Sequence, residues 1–211
     1  MSKVNISSKY GRAFVFSAPS GAGKTSLVKA LVDSNKNLYR SISHTTRSLR
    51  KGERDGVDYY FISTDDFDKM VADDGFIEHA NVFGAKYGTK KKTIKDQLLA
   101  GQDVALDIDW QGARKIKEII DDCISIFILP PTMEILKKRL IERGDAKEQI
   151  DSRMEKAKSE IQHFEEYDYL VFNDNFEQTL AQLQAIVKAS KLTTSKQKII
   201  YQEEIRELIE A

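Results

Sequence analysis

Short apolar runs bounded by turn residues recur along the chain, the clearest at 13–16, 104–108, 123–129 and 169–172. Runs this short and this apolar read as strands covered on both faces. Between them the period becomes helical. One helix begins near Lys24 and turns Leu27, Val28 and Leu31 inward. Others are predicted at 93–100, capped by Gly101, then at 112–120, 132–143, 176–190 and 196–210. A break at 144–147 precedes a long charged helix reaching about Glu166. In the last helix Tyr201, Ile205 and Leu208 fall on one face, with Ile209 beside them. Strands alternating with helices need crossover connections of one hand, which build a mostly parallel, doubly wound α/β sheet.

The stretch from about 40 to 89 departs from that rhythm. It offers strands at 38–43, 59–62 and 76–82, a short helix at 65–72, and a polar, charged loop at 44–57. Gly84 to Gly88 reads as punctuation, and no long helix is present. Residues 1–10 are polar and expected to fray.

The 211 residues fit one domain with a mobile part. Lys plus Arg and Asp plus Glu are both 33, so the basic surplus of a polymer-binding protein is absent and no nucleic-acid partner is expected. Residues 1–11 lack the apolar stretch of a secretion signal, and no run is long enough to span a membrane, so a cytoplasmic protein with no membrane partner is expected. Cys123, the single cysteine, sits in an apolar run and reads as a buried small hydrophobe. His44, His79 and His163 lack metal-ligand spacing, which disfavours a zinc site.

Four patterns carry chemistry. Ala18-Pro19-Ser20-Gly21-Ala22-Gly23-Lys24-Thr25 lies between a strand and a helix and matches the phosphate-binding P-loop, except that Ala18 replaces its first glycine. Backbone N–H groups of such a loop turn inward on phosphate oxygens, the helix N-terminus adds positive potential, Lys24 neutralises the β- and γ-phosphates, and Thr25 ligates Mg²⁺. Arg47 and Arg50, three apart in a polar loop, are able to close on one phosphate. Asp107 and Asp109 end an apolar strand at the ligand-binding edge of a parallel sheet; either would orient water on Mg²⁺, while Asp109 is also placed to cap the next helix. Arg139, Arg143 and Arg153 surround the Gly144 break, where a hinged flap would bring them onto a transferring phosphoryl group.

Together these segments resemble the guanylate kinase family. The resemblance runs through 17–25, Ser43 to Arg47 with Arg50, Gly56 to Phe61, Phe76 to Glu78, Tyr87 to Thr89, Leu106 to Asp109 with Gln111 and Gly112, and Arg139 to Gly144, covering about residues 10–190 in order. It implies a P-loop NTPase-type core at about 10–39, 90–137 and 166–190, an inserted GMP-binding subdomain at about 40–89, and a helical lid at about 138–165; a C-terminal helix at about 196–210 lies outside it. It further implies that Arg47, Arg50, Tyr59 and Tyr87 hold the GMP phosphate, and that Ser43, Glu78, Thr89 and Asp107 read the guanine. Lys24, Arg47, Arg143 and Arg153 would be the catalytic set, ATP and GMP the substrates, and Mg²⁺ the cofactor. The oligomeric state stays open, a homo-oligomer included. Guanylate-kinase-like scaffold domains share this pattern but have lost P-loop function, and intact Lys24, Thr25 and Glu78 argue against that reading. A P-loop kinase acting on a sugar bisphosphate would not need the guanine-reading set.

Overall fold

A computed structural model of the chain describes residues 11–211 apart from 51, 83 and 145, so the expected frayed segment 1–10 lies outside the described residues. The first part of the chain runs β1 (Ala13–Ser17), α1 (Lys24–Asp33), β2 (Leu38–Arg40), β3 (His44–Thr45), β4 (Tyr60–Phe61), α2 (Thr64–Ala72), β5 (Phe76–Val82) and β6 (Ala85–Lys90). The second part runs α3 (Lys91–Leu99), β7 (Asp103–Asp107), α4 (Trp110–Ile119), β8 (Cys123–Leu129), α5 (Met133–Glu142) and α6 (Lys147–Ile161). It closes with β9 (Tyr169–Phe172), α7 (Phe176–Ser190), α8 (Thr194–Ile200) and α9 (Gln202–Glu210).

The main sheet has the order β2-β7-β1-β8-β9 and every pairing in it is parallel. This is the doubly wound core expected from the alternation of apolar runs with helices. Its two faces bury different sets: Val15, Leu106, Ile94, Leu98 and Ile116 on one side, and Phe14, Phe16, Leu27, Leu31, Ile126 and Leu183 on the other. A central parallel strand must be apolar on both faces, which is why β1 has no exposed position. All carboxyl ends of the strands open on one edge, and there the loop after β1 and the end of β7 meet.

A second, mixed sheet has the order β4-β3-β6-β5. Two of its strands depart from the sequence reading. His44 and Thr45 form β3 rather than a loop, with the buried His44 ring stacked on Tyr60 at 4.8 Å. Gly84 to Gly88 is not mere punctuation: residues 85–90 form β6, antiparallel to β5. Gly88 is required there by space, since a Cβ would stand 2.9 Å from the Phe76 ring and 3.0 Å from Phe67. The register of β5 against β6 slips between Phe76 and Glu78, and such a bulge re-aims the side chains that follow it. It leaves Phe76, Ile77 and Glu78 all buried, where strict alternation would expose one of them.

The expected single helix at 196–210 is two helices, broken at Tyr201, whose φ of −109° and ψ of 33° are not helical. α8 is anchored by Lys196, which pairs with Asp122 at 2.7 Å, beside the Arg12–Asp122 pair at 2.7 Å. The apolar face foreseen for the last helix stays in solvent: Leu208 is 81% and Ile209 80% exposed. The described residues contain no helix long and apolar enough to cross a membrane. Because α9 buries no residue, deleting 202–211 should change the free energy of unfolding by less than about 0.5 kcal/mol. Urea titration of both chains checks this, and a larger loss would mean that α9 is packed.

Candidate active site

The main cavity is a cleft of about 930 Å³ between the carboxyl edge of the main sheet, the second sheet and α6. Its floor is the loop Ala18 to Thr25. Gly21 and Gly23 sit at φ 97° and 93°, a left-handed conformation that other residues adopt only under strain. A side chain at Gly23 would also strike Asn173, at 2.4 Å from Nδ2. Ala18 lines this cleft in the place of the usual first glycine, and the loop still folds over the start of α1.

Lys24 Nζ donates to the Ile108 carbonyl at 2.8 Å and pairs with Asp107 Oδ1 at 2.8 Å. Thr25 Oγ1 donates to Asp107 Oδ2 at 2.9 Å. One carboxylate at the end of β7 thus gathers the lysine and the hydroxyl of the loop. Asp109 is engaged elsewhere: it caps α4, accepting from Gly112 N at 2.9 Å and from Gln111 Nε2 at 3.1 Å. Of the two aspartates, Asp107 is the one placed beside Thr25. These hard oxygen donors suit Mg²⁺, which takes few protein ligands and keeps water and substrate oxygens. No cluster of three or more His, Cys, Asp or Glu able to hold an ion occurs among the described residues.

The α5–α6 arm presses on the loop from outside. Arg153 Nη1 donates to Ser20 Oγ at 2.6 Å. Arg139 donates to the carbonyls of Ala22 at 3.3 Å and Asn173 at 3.0 Å, while Asn173 Nδ2 donates to the Ala22 carbonyl at 2.7 Å. Arg139 therefore braces the loop, whereas Arg143 reaches the cleft from the end of α5. Glu160 is buried on the inner face of α6 with Ile150, Arg153 and Ala157. Burial raises its pKa, opposed by the charges of Lys156 and Lys24 and a hydrogen bond from Ser20 N–H. Glu160 and Asn173 were not foreseen. For Glu160 the spacing of Ile150, Arg153, Ala157 and Glu160 along one helical face was the available signal, whereas Asn173 shows itself only through a contact 151 residues away.

On the opposite wall, Glu78 is only 4% exposed and forms no salt bridge with the described residues. Burial pushes its carboxyl up to about 7 against the hydrogen bond from Thr89 that favours ionisation. Thr89 Oγ1 donates to Glu78 Oε1 at 2.5 Å, and Ser43 Oγ lies 3.4 Å from Thr89 Oγ1. Ser43 and Glu78 line the cleft; Thr89 is fully buried behind them and orients Glu78. Tyr59 and Tyr87 meet edge to face at 5.9 Å, and Arg47 stands over the Tyr59 ring at 4.9 Å. Arg50 reaches the same space from an exposed turn. Cys123 lies away from this cleft and is half-buried rather than fully buried, packed against the core around Val15 and Leu106, and its thiol is pushed up to about 12 by burial.

A phosphate cradle at the carboxyl edge of a parallel sheet, facing an arginine–tyrosine cluster and a buried carboxylate, defines a P-loop kinase of the α/β class. The particular family follows from comparison with known proteins. The guanylate kinase family profile matches residues 10–190. The chain is 51% identical over 200 residues to a guanylate kinase of Alkalilimnicola ehrlichii, covering 94% of this chain and 98% of that one. It is 52% identical over 192 residues to one of Histophilus somni, covering 89% and 92%. Its fold superposes with a TM-score of 0.77 on the crystal structure of guanylate kinase from Anaplasma phagocytophilum, at 33% identity and covering 94% and 98%. The chain belongs to the guanylate kinase family.

Gly112 gives a direct test of this wall. An alanine there should favour helix α4 by about 1 kcal/mol, yet its Cβ would lie 2.6 Å from Glu78 Oε2. Gly112→Ala should therefore keep or raise the unfolding midpoint while lowering kcat/KM on the order of 10²-fold. Unchanged turnover would show that Glu78 does not need its present position.

Proposed function

We propose that the chain transfers the γ-phosphoryl group of ATP to GMP, giving ADP and GDP, with each half of the cleft holding one substrate. The observation that carries this reading is the buried Glu78 carboxylate, held by Thr89 and in no salt bridge with the described residues, facing a cleft whose other side is a P-loop. A carboxylate costs stability in such a place unless a ligand supplies donors. Guanine supplies them at N1–H and N2–H₂, and accepts at O6.

In this reading the donor triphosphate lies on the amides of residues 18–25, with Lys24 leaving Asp107 for the β- and γ-oxygens. Thr25 Oγ1, with Asp107 through water, would hold Mg²⁺, which when bound neutralises the phosphate oxygens. Arg47, Arg50, Tyr59 and Tyr87 hold the GMP phosphate so that one of its oxygens faces the γ-phosphorus in line. The bond from that oxygen forms as the bond to ADP breaks, and no protein nucleophile is needed. Arg143 and Arg153 meet the charge that spreads over the transferring group. Ser43, Glu78, Thr89 and Asp107 are assigned to the guanine, Thr89 acting through Glu78. The second sheet, about residues 40–89, serves as the GMP-binding subdomain, and α5–α6, about 138–165, serves as the lid over a core at about 10–39, 90–137 and 166–190.

Adenine has no N2 amine, an unprotonated N1 and a donor where guanine accepts, so it would leave Glu78 facing a lone pair. Rejection of a base lacking the required donors reaches about 10⁴-fold. A coupled assay with GMP, dGMP, AMP and UMP as acceptors should find kcat/KM for GMP at least about 10³-fold above AMP and UMP. Equal use of AMP and GMP would end the guanine reading.

A further inference from the structure

We infer that Glu53 is the positioning residue of the acceptor-phosphate site, holding Arg47 so that one edge of its guanidinium faces the cleft. This rests on the reading of Arg47 and Arg50 as the residues that meet the GMP phosphate. Arg47 Nη1 donates to Glu53 Oε2 at 2.7 Å and Nη2 to Oε1 at 2.6 Å, an end-on bidentate pair. Nη1 also donates to the Ser48 carbonyl at 2.9 Å. Those three bonds leave the Nε–H and the second Nη2 hydrogen, which lie side by side on one edge. No hydrogen bond from the described residues takes them, and Arg47 lines the cleft. Two parallel N–H groups on one edge match two oxygens of a phosphate. The rings of Tyr59 and Phe61, with centroids 4.9 and 5.4 Å from the guanidinium carbon, restrain its plane.

The same carboxylate sets the second arginine. Glu53 Oε2 accepts from the Arg50 backbone N–H at 2.9 Å, and Glu53 N donates back to the Arg50 carbonyl at 3.1 Å. The turn from which the Arg50 side chain reaches the cleft is therefore tied to the group that orients Arg47. A long arginine left to itself samples many rotamers, and orienting it before the ligand arrives removes that cost from binding. The negative charge on Glu53 opposes an incoming phosphate. The guanidinium stands between them, because the pair with Glu53 uses its end and the open fork its side. Orientation therefore outweighs repulsion.

Steady-state kinetics with GMP and with ATP varied in turn, on wild type, Glu53→Gln, Glu53→Asp, Arg47→Lys and the double variant E53Q/R47K, test the inference. Glu53→Gln should raise KM for GMP roughly tenfold or more, leave KM for ATP within about twofold, and leave the unfolding midpoint in place. Glu53→Asp, which keeps the charge on a shorter stem, should recover part of the loss and reads the same split if the glutamine variant folds poorly. Arg47→Lys removes the fork, so adding Glu53→Gln to it should cost little more. A KM for GMP that is unchanged or lowered in Glu53→Gln, or a loss shared equally by both substrates, would overturn the inference. In that case wild type would still phosphorylate GMP; wild type inert toward GMP would sink the functional reading and this inference with it.

Discussion

The cleft depends on Asp107. This carboxylate, at the end of β7, sits 2.8 Å from Lys24 Nζ and 2.9 Å from Thr25 Oγ1. Its place is fixed by the parallel register that sets Asp107 beside Phe16 of β1, so the P-loop after β1 is bound to the neighbouring strand by chemistry as well as by hydrophobic packing. The two faces of β1 bury side chains of different size, Ala13 and Val15 on one and Phe14 and Phe16 on the other, so a one-residue slip would exchange small for large in both halves of the core. Everything on the P-loop side, from the left-handed glycines to the brace formed by Arg139 and Asn173, is arranged around a loop held at this point.

The opposite wall of the cleft answers to a different constraint. Glu78 is buried by a bulge in β5 and closed in by Gly112 of α4, which has no side chain to displace it. Burial raises its pKa to about 7, so the free carboxyl is protonated over part of the physiological range. Its folded pKa lies above the ordinary carboxylate value, so the native state binds more protons than the unfolded chain. Its contribution to stability therefore falls as pH rises from about 4.5 to about 7. A ligand that donates two N–H groups to the ionised carboxylate would offset that penalty.

Much of this was legible in the chain. The strand at 123–129, the helix at 176–190 and the P-loop at Gly21 to Thr25 were read correctly, because apolar runs and glycine punctuation are local signals. β3 and β6 were not, because two residues in a polar stretch and the segment Gly84-Ala85-Lys86-Tyr87-Gly88 carry no period of their own; pairing with neighbouring strands makes them strands. The break at Tyr201 likewise follows from where α8 docks, through Lys196 and Asp122. Glu53, Glu160 and Asn173 were silent because each acts on a partner that only the fold or the turn brings near. Their residue types are common on any surface, and only the contact gives them meaning.

On the proposed function, Glu78 reads guanine as an ionised carboxylate inside a buried wall. The direct test follows its carboxyl carbon by NMR as pH is varied, assigning the resonance by its loss in Glu78→Gln. In the free protein it should titrate near 7. With saturating GMP, donors at N1–H and N2–H₂ favour the charged form, so its midpoint should drop below about 5. A midpoint that is the same with and without GMP would contradict the account.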